Sequence, residues 1–180
     1  EEYNFKRQRD GRQAIKIGIG IHIGHMMVGM VGEVARMQGD AFSDNVNLTS
    51  RLEGLTKFYG ASLLISEEAL NRLEDSSRYQ IRYLDRVVVK GRSEPMSVYE
   101  VLDGESETVM NLKLATQAHF EKGMRRYQAK NFEEAEYFFN EVLQVHPGDQ
   151  AALLYVERVS RFRREGVPEG WDGVTVLTEK

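Results

Sequence analysis

Residues 15–23 read Ile-Lys-Ile-Gly-Ile-Gly-Ile-His-Ile, and this alternation decides the fold class of the chain. Isoleucine at every second position is typical of a β-strand with one apolar face. Gly18 and Gly20 would weaken a free strand, so they indicate the close approach of another backbone or of a ligand. We expect Gly24-His25 to form a turn and residues 26–32 to return as the second strand of a hairpin, followed by a loop over 33–43.

A helix is predicted directly after this loop. Ser43 or Asp44 can cap its N-terminus, Gly60 can end it, and a buried stripe recurs at helical spacing, namely Leu48, Leu52, Leu55 and Tyr59. Asn47 and Arg51 lie four residues apart, so they share one face of this helix at the margin of the stripe. An asparagine can hold a ligand hydroxyl, and an arginine offers a charged fork to phosphate oxygens. The pair therefore suits phosphoryl chemistry.

The segment up to residue 102 continues as a mixture of strands and helices. We predict a strand over 61–65, a helix from Ser66 to about Leu73, a β-rich stretch over 79–90 and a last strand over 96–102. This order predicts an α+β layer in which helices cover one face of a sheet.

Everything after the acidic stretch 103–108 reads as helical. Amphipathic runs cover 114–127, 132–145 and 150–164. The spacing of Gly123, Ala135, Phe139 and Pro147 resembles the tetratricopeptide repeat, of which one full repeat and half of another would fit. So short an array should pack on the preceding part or on a protein partner. We therefore divide the chain into 1–103, 109–165 and a tail, 166–180, whose tryptophan is expected to dock on the helices.

Composition excludes several classes of function. The chain has 180 residues and a net charge of −4, which gives no electrostatic reason to expect binding to nucleic acid or to an anionic membrane. It has no cysteine, which excludes disulfides, thiolate metal sites and cysteine nucleophiles. His22 and His25 lack a positioned third ligand, so we do not interpret them as a metal site.

Four segments together resemble the class III adenylate and guanylate cyclases: residues 17–32, Arg36, residues 46–53 and residues 89–91. The resemblance extends over about residues 15–102. It implies a partial ferredoxin-like cyclase sheet with helices on one face, followed by the all-α helical repeat. The implied reaction is cyclisation of a nucleoside triphosphate, in which the ribose 3′-oxygen attacks the α-phosphate and pyrophosphate leaves.

The resemblance also implies roles for particular residues. Asn47 matches the asparagine that orients the ribose, and Arg51 matches the arginine that neutralises charge at the transferring phosphorus. Lys90 matches the lysine that holds the outgoing phosphates. Asp40 matches an adenine-selecting position, where a carboxylate can accept from the 6-amino group, and this favours ATP over GTP. The loop before the helix departs from the family pattern, because Gly39 replaces an aromatic residue.

The family binds two Mg²⁺ ions through two aspartates on strands that precede the segment matching Ile15, and we find neither strand in this sequence. We therefore expect the C-terminal half of a catalytic domain that is inactive alone. A second cyclase catalytic domain would complete it, in a homodimer or a strand-exchanged oligomer. We expect a cytoplasmic location; the tail resembles the endings of cyclases with membrane-anchored sensors, which leaves an anchored parent protein open.

Two alternatives to an adenylate cyclase remain at this point. The cyclase-like half could be a non-catalytic scaffold whose helical repeat recruits a protein partner. The substrate could also be GTP, which Asp40 disfavours.

Overall fold

A computed structural model describes residues 2–33, 36–89 and 94–177 of the chain. The described elements are a mixture of strands and helices up to residue 101 and are mainly helical afterwards. In chain order they are α1 (Glu2–Arg9), β1 (Ile19–Ile21), β2 (Met27–Glu33), β3 (Arg36–Phe42), α2 (Asp44–Tyr59), β4 (Leu63–Ser66), α3 (Glu67–Leu70), β5 (Ile81–Val89), β6 (Met96–Val101), α4 (Glu107–Gln128), α5 (Phe132–Val145), α6 (Gln150–Glu165) and β7 (Thr175–Leu177).

The strands form a five-stranded sheet in the order β1-β4-β6-β5-β7 and a separate two-stranded hairpin of β2 and β3. In the large sheet β1 runs parallel to β4, β6 runs antiparallel to both β4 and β5, and β7 runs parallel to β5. The α+β class predicted from the sequence is therefore confirmed.

The predicted hairpin between residues 15–23 and 26–32 is wrong. β1 pairs with β4, with Ile19 opposite Leu63, whereas β2 pairs with β3, with Met27 opposite Phe42. The predicted loop over 33–43 is also wrong, because 36–42 is a strand. Alternation identifies a strand and its apolar face, but the choice of pairing partner depends on the rest of the fold.

Helix α2 forms as predicted because its two ends are capped. The Ser43 hydroxyl accepts a hydrogen bond from the backbone N–H of Val46, and Gly60 adopts the left-handed conformation with φ 64°. The predicted stripe of Leu48, Leu52, Leu55 and Tyr59 is buried, with Thr56 beside it. Burial of this stripe fixes the rotation of α2 on the sheet.

The glycines of β1 permit close packing against α2. A Cβ atom at Gly20 would lie 2.5 Å from the backbone nitrogen of Glu53, and one at Gly18 would overlap the Thr56 side chain. The predicted close approach of another backbone is therefore confirmed. The isoleucines of 15–23 are exposed, with exposed fractions between 43% for Ile21 and 72% for Ile17.

The helices α4, α5 and α6 share one continuous core with α2 and the large sheet, as the expectation that they pack on the preceding part requires. Gly123 lets α4 approach α5 so closely that a Cβ there would lie 2.7 Å from the Phe139 ring. The resemblance to a tetratricopeptide repeat stays a prediction. None of the described helices combines the length and the apolar composition that a membrane span requires.

The short helix α3 departs from the expectation that helices cover only one face of the sheet. Ala69 of α3 packs with Ile65 and Val101, which belong to a second, smaller core. Ile65 follows Leu64, which lies in the main core, and neighbouring residues of a strand point to opposite faces. α3 therefore covers the other face of the sheet.

The tail docks on the helices as predicted. The Trp171 ring lies 5.1 Å from the Tyr127 ring and 5.2 Å from the Phe162 ring, measured between centroids. Beyond Trp171 the tail forms β7, which places Thr175 opposite Val87 at the edge of the large sheet. The sequence did not predict this additional strand.

Candidate functional site

The first turn of α2 is held in place by His22. The ring nitrogen Nδ1 of His22 lies 2.9 Å from the Ser66 hydroxyl, and Nε2 lies 3.2 Å from the side-chain oxygen of Asn45. Asn45 in turn donates a 2.7 Å hydrogen bond to the carbonyl of His25. His22 therefore ties the start of α2 to the end of β1 and to the Ser66 cap of α3.

Asn47 and Arg51 both lie on the exposed side of α2, one turn apart. Within the described residues neither side chain forms a hydrogen bond or ion pair, so both can reach a ligand that approaches from outside the chain. A cavity of about 480 Å³ lies elsewhere, between α4, α6 and the tail, and its lining includes Tyr127, Arg158 and Trp171. The predicted pair therefore lies on the surface and is not part of the lining of this cavity.

The structure describes the other two predicted site residues, Asp40 and Lys90, less completely than it describes Asn47 and Arg51. The backbone of Asp40 lies in β3 opposite Gly29, whereas its side chain lies outside the described part. Lys90 directly follows the last residue of β5 and falls outside the described residues. The roles of all four site residues stay predictions; the structure brings Asn47 and Arg51 together on one face.

A buried ionic cluster, which was not predicted from the sequence, lies between the sheet and the C-terminal helices. Arg82 of β5 pairs with Glu100 of β6 at 2.8 Å and with Asp149, the cap of α6, at 2.6 Å. Lys113 of α4 also donates to Glu100. Burial acts against the charge of Arg82, but the two carboxylates outweigh it and raise the Arg82 pKa. This cluster fixes the helices on the sheet.

A second buried cluster surrounds Asp85. Its Oδ2 atom accepts hydrogen bonds from the Tyr59 hydroxyl at 2.7 Å, from Arg158 Nη1 at 2.6 Å and from the Thr175 hydroxyl at 3.0 Å. A bulge between Tyr83 and Asp85 lets the neighbours Leu84 and Asp85 both point into the core. Burial and the adjacent carboxylate raise the pKa of Tyr59 well above its usual value, so Tyr59 stays a proton donor.

The family resemblance implies two Mg²⁺ ions held by aspartates that we do not find in this sequence. Among the described residues no group of three or more His, Cys, Asp or Glu side chains lies close enough together to hold a metal ion. The buried acidic side chains form ion pairs with basic side chains rather than with one another. Asp85 pairs with Arg158, Asp149 with Arg82, and Glu100 with both Arg82 and Lys113.

Residues 2–103 match the family described as the adenylate and guanylate cyclase catalytic domain, and the chain therefore belongs to this family. It is 36% identical over 146 residues to the terminal-differentiation specific adenylate cyclase of Dictyostelium discoideum. This alignment covers 81% of the present chain and 7% of the relative. The chain is also 39% identical over 102 residues to an adenylate cyclase of Anabaena cylindrica. That alignment covers 56% of the chain and 20% of the relative.

Among solved structures, the chain is similar to the guanylyl cyclase Cya2, with a TM-score of 0.50 and 28% identity over 59% of this chain and 52% of that one. The Dictyostelium alignment is longer than the family segment and so includes part of the helical region. The chain spans only a small share of either curated relative, as the 7% and 20% coverages show.

Proposed function

We propose that this chain is the asparagine- and arginine-bearing part of an adenylate cyclase catalytic domain that converts ATP to cyclic AMP and pyrophosphate. The observation that carries the proposal is the placement of Asn47 and Arg51 on the exposed face of α2, inside the family segment. The helix beneath them is capped at both ends and buried along its opposite side, so the pair is mounted on a rigid support.

Each proposed role follows from the chemistry of the side chain. The Asn47 amide both donates and accepts hydrogen bonds, and it orients the ribose so that its 3′-oxygen faces the α-phosphate. The Arg51 guanidinium stabilises the charge that develops on the phosphate oxygens as the new bond forms and pyrophosphate leaves. Lys90 binds the outgoing phosphates.

ATP is the proposed substrate for two reasons. The Asp40 carboxylate can accept from the adenine 6-amino group but has no proton for the guanine carbonyl. Two relatives that match this chain are named adenylate cyclases. The similarity to a guanylyl cyclase structure keeps GTP as the competing substrate, to be decided by measurement.

The exposure of the pair fits a site that is shared between two catalytic segments. Asn47 and Arg51 are both exposed on α2, as residues of a wall that closes against a partner would be. We propose that a second cyclase catalytic domain supplies the opposite wall and the carboxylates for the two Mg²⁺ ions. The two catalytic domains would associate in a homodimer or a strand-exchanged oligomer of the parent protein.

The test is reconstitution. The chain is mixed with a cyclase segment that carries the two metal carboxylates, and cyclic AMP formed from ATP and Mg²⁺ is measured, with GTP in a parallel assay. We expect activity with ATP that falls by about 100-fold in Arg51→Ala and Asn47→Ala, because each removes a group that acts on the transition state.

Lys57→Ala is the matched control, since it removes a cation from the same helix about 120° around the axis from Arg51. It should leave the activity within about twofold of the wild type. A folded, associated pair that makes no cyclic nucleotide would overturn the catalytic assignment and favour the protein-interaction module, whereas cyclic GMP in place of cyclic AMP would overturn the substrate.

A further inference from the structure

The Asp85 cluster joins four elements that are far apart in the chain. Tyr59 is the last residue of α2, Asp85 lies in β5, Arg158 lies in α6 and Thr175 lies in β7. All three partners donate to the same carboxylate oxygen, Oδ2, whereas Oδ1 accepts from the backbone N–H of Arg86 at 2.8 Å. The whole carboxylate is therefore used for contacts within the chain.

From this geometry we infer that Asp85, Arg158 and Thr175 are positioning residues for the proposed nucleotide site, so that the C-terminal tail is part of the catalytic unit. The inference rests on the proposed cyclase function of Asn47 and Arg51. It adds a role for the helical region and the tail, which the family segment does not include.

The first step concerns the two ends of α2. Its start is tied to β1 through His22 and Asn45, and its end is tied to β5 through Tyr59 and Asp85. Arg51 lies between these ties, about 12 Å along the axis from Tyr59. A helix held at both ends keeps its exposed side chains in place, whereas loss of one tie lets the helix tilt. A displacement of about 1 Å at the reacting groups can cost about 100-fold in rate.

The second step concerns the charge of Asp85. A buried carboxylate is stable only when its oxygens are paired and hydrogen-bonded, and only 1% of this side chain is exposed. Arg158 supplies the opposite charge, while Thr175 supplies a further donor from the tail. Tyr59 therefore binds an acceptor whose position depends on α6 and on β7.

The third step concerns Lys90. β7 pairs with Val87, Val88 and Val89, the residues that directly precede Lys90. The same short strand thus supports both the helix that carries Arg51 and the strand that leads to the phosphate-binding lysine. The tail is anchored for this by Trp171, whose ring packs on Tyr127, Phe132 and Phe162.

The test compares substitutions that remove a single hydroxyl group in the reconstituted cyclase. Thr175→Val and Tyr59→Phe each delete one donor to Asp85 with little change in shape. We expect kcat to fall by about tenfold in both while KM for ATP stays within about twofold, because the lost positioning acts on the transition state. Thr175→Ser keeps the hydroxyl and should restore kcat.

Tyr155→Phe is the matched control. The Tyr155 hydroxyl is equally buried and donates a 2.7 Å hydrogen bond to the carbonyl of Leu84, the neighbour of Asp85, but forms no hydrogen bond with the described side chains of Asp85 or α2. Its loss should lower the melting temperature as much as Tyr59→Phe does, yet leave kcat unchanged. Equal kcat values in all three variants, with Arg51→Ala inactive, would overturn the positioning role while the proposed function stands.

A second readout is independent of activity. Hydrogen exchange in the 180-residue chain is measured for peptides that cover residues 53–61, the end of α2. Thr175→Val should increase exchange there by about tenfold, and Tyr155→Phe should not. Equal protection in the two variants would overturn the coupling between tail and helix. An Arg51→Ala variant with full activity would instead overturn the proposed function and the positioning role together.

Discussion

The N-terminal and C-terminal regions of this molecule differ in which residues they bury: the first exposes apolar side chains, whereas the second buries charged ones. In residues 2–30 the large apolar side chains are exposed, although isoleucine occupies every second position of 15–23. In residues 44–177 a continuous core encloses not only leucines and aromatic rings but also Arg82, Asp85 and Glu100. The contrast shows that periodicity tells which face of an element is apolar, whereas only the tertiary structure tells what covers that face.

The two regions also differ in what stabilises them, namely buried ion pairs in the second region and close packing at glycines in the first. In the second region each buried charge has partners on other elements, so each is held by contacts that span the fold. In the first region the tight packing is at glycines, where Gly20 meets the backbone of Glu53 and Gly18 meets the side chain of Thr56. Substitutions in the two regions should therefore have effects of very different size.

The largest effect is expected from Arg82→Met. It keeps much of the side-chain volume but leaves Asp149 without its cation and Glu100 with only Lys113. Removing one member of a buried ion pair costs about 3–5 kcal/mol in free energy of unfolding, which urea denaturation measures. The control is Ile17→Ala, whose side chain is 72% exposed and should change that free energy by less than about 0.5 kcal/mol. Similar losses in both variants would break the comparison.

An intermediate effect is expected from Gly20→Ala. The new methyl group would meet the backbone of α2 at Glu53, which cannot rotate away as a side chain would, so we expect a loss of about 1–3 kcal/mol in free energy of unfolding. Gly29→Ala is the matched control, because nothing lies within 4 Å of the position that its Cβ would occupy. It should be neutral or stabilising by up to about 1 kcal/mol.

The smallest effect is the pH dependence that Asp149 contributes. Burial acts to raise the pKa of Asp149, but the charge and hydrogen bonds of Arg82 and the N–H of Ala152 outweigh it and hold the pKa below its usual 3.8. The stability it contributes is therefore fully present above about pH 4 and is lost as the pH falls through the folded-state pKa.

Asp149→Asn tests this contribution, since asparagine keeps the helix cap but carries no charge. The variant should be less stable than the wild type at pH 7 by about 1 kcal/mol, and the gap should close as the pH falls below 4. Thermal unfolding at several pH values measures the gap. A gap that is constant over this range would show that Asp149 acts only as a cap.

Much of the fold was predictable where local signals agree. The caps and leucine stripe gave α2, and the amphipathic run 132–145 coincides with α5. The pairing of β1 was not predictable, because an isoleucine strand with one apolar face fits either a hairpin or a parallel neighbour. Strand β3 was missed because glycine and charged residues weaken its strand pattern.

In the candidate site, too, local features were predictable from the sequence, whereas contacts between distant residues were not. The i, i+4 spacing placed Asn47 and Arg51 on one helix face, and the structure has them there. The Asp85 cluster could not be predicted, because its members are separated by up to 90 residues along the chain. The bulge that turns both Leu84 and Asp85 inward also breaks the alternation that would have revealed them.

The aromatic anchor of the tail has a practical consequence, because Trp171 is the single tryptophan of the chain. Its indole ring is half-buried among Tyr127, Phe132 and Phe162, so its emission spectrum reports on the tail alone. Detachment of the tail would move the indole into water and shift its fluorescence to longer wavelength. The protein thus carries a built-in optical probe at the junction between its helices and its sheet.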